Sequence, residues 1–121
     1  MYNMAKMHWK NLDKPDEKRK FDKGLLELVT LADVTFGRAT LQPGWKWSTS
    51  VKPIVKTTSC EAAHTQYVIS GRLAIKMDDG TQVELVPGDA AVIPSGHDAW
   101  VVGDEPVVII DLTGMSKYAK S

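Results

Sequence analysis

Three things are scarce in this 121-residue sequence: cysteine, charge of one sign, and long apolar runs. Cys60 is the only cysteine, so no disulfide can form within the chain, and a reducing compartment is compatible. Fifteen basic residues are matched by fifteen acidic ones, which leaves no global field to draw in a polyanion. Neither a nucleic acid nor an anionic membrane is therefore an expected partner. The longest apolar stretches, such as Val107–Ile110, fall far short of the ~20 residues that span a bilayer. The N-terminus has no apolar core of the secretory type, so the chain is expected to be soluble and cytoplasmic. Hydrophobic residues at 43% and charged residues at 25% are ordinary for a folded domain, and argue against wholesale disorder.

What is present changes character near residue 24. Residues 1–24 carry Lys6, Lys10, Lys14, Lys18, Arg19, Lys20 and Lys23, interleaved with Asp13, Asp16, Glu17 and Asp22. They read as a short N-terminal arm, a solvated lead-in with a few anchoring contacts such as Trp9 or Phe21, in which Lys14–Lys20 could open a short helix with Pro15 in its first turn. Beyond it come short runs rich in Val, Ile, Leu and Thr, punctuated by Gly, Pro and Asp about every ten residues. That pattern belongs to an all-β sandwich or barrel. The strands expected are Leu25–Leu31, Val34–Leu41, one long or two short ones within Cys60–Met77, Thr81–Val86, Ala90–Ile93, Trp100–Val102 and Val107–Leu112. Ser70-Gly71 is the expected bend of the long one, and Asp78-Asp79-Gly80 a hairpin turn. In Thr81–Val86, Val83 and Leu85 alternate with Gln82 and Glu84, which predicts one apolar and one wet face. The barrel is expected over residues 25–115, with a tail at 116–121.

Pro43-Gly44, Tyr67–Gly71, Met77–Gly80, Pro87-Gly88-Asp89 and Ile93–His97 together resemble the cupin superfamily, in particular its small single-domain members. The resemblance implies a cupin jelly-roll β-barrel, often homodimeric, with a metal or a small-molecule pocket at its centre. It also implies a metal set of three histidines and one glutamate. Here the two first-motif histidine positions hold Thr58 and Cys60, and the glutamate position holds His64. The second-motif histidine position holds Ala99, with His97 two residues early. The family's usual ligand set is therefore absent.

Cys60 and His64 are nevertheless ligating residues, and a spacing of four puts them on one face if the strand is regular. A shortened loop would swing His97 into the vacant place. Such a thiolate and imidazole trio would take one divalent transition metal, zinc, iron or nickel, in preference to magnesium or calcium. The alternatives remain a Cys60 buried as a small hydrophobe and a His97 held in a turn by Asp98. Trp45 and Trp47, spaced to share a strand face, and Trp100 offer flat apolar walls for a small-molecule ligand, with Thr58 and Gln66 as polar contacts. Each tryptophan could equally fill a dimer interface or plug the barrel mouth. Three functions follow: a small-molecule-binding barrel, a metal-dependent oxygenase, isomerase or decarboxylase, and a non-catalytic dimeric scaffold.

Overall fold

The computed structural model describes residues 6–112, 118 and 120. Nine strands form two antiparallel sheets. They are β1 (Glu17–Phe21), β2 (Gly24–Leu31), β3 (Val34–Leu41), β4 (His64–Ser70), β5 (Leu73–Met77), β6 (Gln82–Leu85), β7 (Ala90–Ile93), β8 (His97–Val101) and β9 (Val107–Asp111). The larger sheet runs β1-β2-β3-β9-β4-β7 and the smaller β6-β5-β8. Residues of alternating position point into one core between them. Leu26 and Leu28 enter from β2, Val68 from β4, Ile75 from β5, Ala99 and Val101 from β8, and Val107 and Ile109 from β9. Each fully buried Val or Leu contributes ~1.5–3 kcal/mol of transfer free energy. This is the all-β barrel the strand pattern predicts.

Of the one long or two short strands expected within Cys60–Met77, two form, β4 and β5, and they lie in different sheets, so the bend at Ser70-Gly71 is the corner where the chain crosses from one layer to the other. Gly71 sits at φ +79°, and a Cβ there would stand 2.4 Å from the carbonyl oxygen of Pro106. Glycine is demanded twice, by conformation and by close approach. Asp78–Gly80 closes the β5–β6 hairpin as expected, with Gly80 at φ +94°.

Four expectations need correction. Residues 17–21 form an edge strand in register with β2, with Glu17 opposite Leu28, and so Pro15 opens no helix. The register satisfies the backbone there, and Arg38 of β3, paired with Glu27 of β2 (3.1 Å), also pins the preceding segment through its ion pair with Asp13 (2.9 Å). Trp45 and Trp47 do not share a strand: Trp45 lies in the turn after β3, and Trp47 opens the helical turn α1 (Trp47–Ser50). A second turn, α2 (Lys52–Val55), follows with proline in its first turn and stops at Lys56, which is left-handed at φ 62°. On β6, an edge strand, only Leu85 is buried, and Val83, at the same alternation, is 53% exposed. The strand expected at Trp100–Val102 begins earlier, at His97, and lies opposite β5 with His97 beside Met77. The expected tail falls largely outside the described residues, but Tyr118 is described and packs back against the barrel.

Candidate metal centre

Three chain segments converge at one end of the barrel. Cys60 precedes β4 and is locked to the start of β8 by backbone bonds, its N–H donating to the His97 carbonyl (2.8 Å) and its own carbonyl accepting from Gly96 N–H (2.7 Å). His64 opens β4, opposite Ile93. His97 opens β8. All three are buried, at 4%, 3% and 3% exposure. One ligating atom from each lies within 4.8 Å of the others, and Cys60 Sγ stands 3.8 Å from His64 Nε2.

The expected trio therefore forms, but for different reasons. Cys60 is outside the strand that carries His64, and it is held by a bridge to β8. His97 needs no shortened loop. It lies two residues from Ala99 on β8, and both side chains face the interior because a strand repeats every second residue. His97 is no turn histidine bound to Asp98, since its Nδ1–H donates to the Pro94 carbonyl at 2.8 Å.

The hydrogen bonds also set the tautomers. His64 Nδ1–H donates to Asp111 Oδ2 at 2.7 Å. Neither a carboxylate nor a carbonyl can donate, so in the neutral rings both Nδ1 atoms carry the hydrogen and both Nε2 atoms carry the lone pair. A carboxylate behind a ligating histidine is the usual support of a metal site. Asp111 Oδ2 also accepts from Gln66 Nε2 (3.1 Å), and Asp111 itself is 0% exposed.

The spacing fits a metal. Zinc bonds of ~2.3 Å to sulfur and ~2.0–2.1 Å to nitrogen, at tetrahedral angles, put S and N about 3.6 Å apart. The 3.8 Å between Cys60 and His64 is within a few tenths of that. Burial pushes the Cys60 thiol up to about 11, with Glu61, Asp98 and Asp111 adding to the shift, so without a cation it stays protonated. Burial also lowers His97, which keeps it neutral and able to ligate, although the bond to Pro94 opposes this.

A cavity adjoins the trio, walled by Trp45, Trp47, His64, Gln66, His97 and Tyr118 together with aliphatic side chains. About 20 Å³ of it admits the centre of a water-sized sphere, which is room for about one water. Trp45 and Trp47 thus wall the interior as expected of ligand contacts, and Gln66 faces inward. Thr58 is exposed and does not line the cavity. Trp100 is half-buried on the other face of β8, with the Lys46 ammonium 5.5 Å from its ring centre, and is not part of the cavity wall.

Two residues of the site escaped the sequence reading. Asp111 carried a signal: it follows Val107 and Ile109 at period two, so a carboxylate continues the buried face of β9. Tyr118 carried none. Its ring stacks edge-on against His64 (5.6 Å) and Phe21 (6.2 Å), and Arg19 Nη1 donates to its carbonyl at 2.6 Å. Burial raises its phenol well above the ordinary value.

Two sheets closed over a buried pair of histidines and a thiol define a small β-barrel with a cluster of side chains able to ligate a metal. Residues 57–113 match the family model described as the cupin domain, in line with the resemblance to the cupin superfamily carried by the sequence motifs. Among solved structures, a protein of unknown function from Rhizobium leguminosarum bv. viciae is 21% identical, with 89% of this chain and 96% of that one covered and a TM-score of 0.65. A protein of unknown function from Acidithiobacillus ferrooxidans is 25% identical over 82% of this chain and 88% of that one, with a TM-score of 0.60. A cupin-like protein from Thermotoga maritima is 15% identical, covering 88% and 83%, with a TM-score of 0.58. The search of curated proteins finds no match. Among the described residues, no helix is long and apolar enough to cross a membrane.

Proposed function

We propose that this barrel binds a small molecule at a divalent transition-metal centre held by Cys60, His64 and His97. The observation that carries the reading is the arrangement of lone pairs. Cys60 Sγ and His64 Nε2 are spaced to within a few tenths of an ångström of a tetrahedral metal's requirement, and both histidines have Nδ1–H tied to an acceptor behind them. Zinc is the first choice for a thiolate and two imidazoles, with iron and nickel behind it. Cys60, His64 and His97 would hold the metal, which when bound would polarise a carbonyl or lower the pKa of a water. The chain's own residues orient the ligands, exclude bulk water and present Trp45 and Gln66 to whatever enters.

A second reading rests on one specific alignment, Asp111–His64–Cys60, which has the order of an orienting acid, a base and a thiol nucleophile. The raised thiol and its 4% exposure count against it, because a nucleophilic cysteine needs thiolate character and access.

The test is elemental mass spectrometry on protein purified without a nickel column, beside a Cys60→Ala, His64→Ala double variant. The expected result is close to one transition-metal ion per parent chain and none in the variant. A parent that holds no metal, and gains no thermal stability from added zinc, would refute the reading, since a ligand of the folded state must stabilise it.

A further inference from the structure

Two polar atoms in the cavity wall lack a partner among the described residues: the indole Nε1–H of Trp45 and the amide Oε1 of Gln66. Their residues are 2% and 6% exposed, and both line the cavity beside His64 and His97. A buried polar group with no partner costs ~1–3 kcal/mol, and native interiors hold few of them.

The Gln66 amide cannot simply be turned round. Its Nε2 donates to Asp111 Oδ2, and a flip would set the amide oxygen against a carboxylate. The indole has only one donor and no acceptor. The residues that wall the cavity therefore carry one donor and one acceptor that are still without a partner among the described residues.

Charge narrows the class further. Among the described residues, no lysine or arginine lines the cavity. With a divalent ion in place, its two charges are matched by the Cys60 thiolate and the Asp111 carboxylate, both within the same buried cluster. An anionic ligand would enter a low-dielectric site with no cation left to balance it, which is costly.

From this pairing of unpartnered atoms with a charge-neutral centre we infer that the site takes a small neutral molecule bearing a carbonyl-type acceptor next to a hydroxyl or N–H donor, as in a hydroxy ketone or a carboxamide. The acceptor receives the Trp45 indole N–H, and the donor gives to Gln66 Oε1. The inference rests on the metal reading above. The cavity holds only about one water, so such a ligand takes the place of the Tyr118 ring, which is kept there by edge contacts to His64 and Phe21.

The test uses the full-length zinc-loaded protein and calorimetric titration with hydroxyacetone and acetamide as neutral probes, against lactate and phosphate as anions. Zinc content is measured in parallel for the parent and for each variant. The expected result is binding of the neutral probes, tighter in Tyr118→Ala, and roughly tenfold weaker in Trp45→Phe and in Gln66→Leu, as loss of a hydrogen bond to a buried group implies. The anions should not compete. Equal binding by parent, Trp45→Phe and Gln66→Leu, or preferred binding of lactate or phosphate, would overturn the inference. So would zinc-loaded parent and Tyr118→Ala proteins that bind no probe, since the two atoms would then serve water alone. A parent that holds no zinc is the separate failure of the metal reading.

Discussion

Replacing Asp111 with Asn removes one charge and turns the second carboxylate oxygen into an amide donor, at unchanged side-chain size, which makes it the sharpest probe of the support behind His64. A single oxygen, Oδ2, takes both the 2.7 Å bond from His64 and the 3.1 Å bond from Gln66. An asparagine oxygen in that place keeps both bonds, but each changes from charge-assisted to neutral. Charge-assisted bonds contribute ~1.5–3 kcal/mol and neutral ones about 1, so the change on the His64 bond is on the order of 1–1.5 kcal/mol. Through the basicity of His64 Nε2 this converts to about a tenfold loss of zinc affinity, the low end of the ~10–100-fold range for such supporting groups. Competition against a chromophoric chelator measures it directly. Asp111→Ala should do more harm, because it strands the His64 and Gln66 donors in a dry interior. An Asp111→Asn protein that folds as the parent and keeps its zinc affinity within twofold would refute the reasoning about the carboxylate.

Three further outcomes are expected. Zinc affinity should rise about tenfold per pH unit across the neutral range, because binding expels the one proton that the Cys60 thiol holds up to about 11. In the metal-free protein the signs differ by residue. His97, lowered in the fold, contributes stability above its ordinary 6.5 that is lost as pH falls, whereas Cys60, raised from 9.0, contributes stability below 9.0 that is lost as pH rises through about 11. Melting temperature against pH should show a plateau between those limits, and Cys60→Ala should move its alkaline edge upward, leaving the loss that comes from the buried Tyr118 phenol, itself raised above its ordinary 10.0. Gly71→Ala should unfold the barrel or cost several kcal/mol more than Gly80→Ala: both positions have positive φ, a strain of ~1–2 kcal/mol, but only at Gly71 would the Cβ strike backbone, and chemical denaturation of the two variants compares them. The dimer expected from the family resemblance should appear in light scattering at twice 13.3 kDa, with the outward Tyr67, Ile69 and Val92, at 49%, 48% and 79% exposure, as the apolar surface available to a second copy.

The strands were legible because hydrophobic period and glycine-proline punctuation are local signals, and both hold from Leu25 to Leu112. Residues 17–21 misled because Glu17, Lys18, Arg19 and Lys20 look like a charged helix start, and only pairing with β2 makes them a strand. Tertiary pairing overrode a local preference. At the site, the ligand identities were readable but their delivery was not. Cys60 reaches the trio through a bridge to a segment 37 positions away, and no spacing within one strand can encode that. Trp100 misled because its face on β8 depends on where that strand begins. Asp111 could have been found by carrying the alternation of β9 one step further and treating a carboxylate on a buried face as significant. Tyr118 could not, since its contacts with His64 and Phe21 join the chain's last residues to β4 and β1.

The central claim is the ligand set, and X-ray absorption at the zinc edge of the zinc-loaded protein tests it most directly. The account predicts one sulfur scatterer at about 2.3 Å and two imidazole nitrogens at about 2.0–2.1 Å, with the remaining position filled by a light atom. A first shell of oxygen and nitrogen with no sulfur would show that Cys60 is not a ligand, and would contradict it.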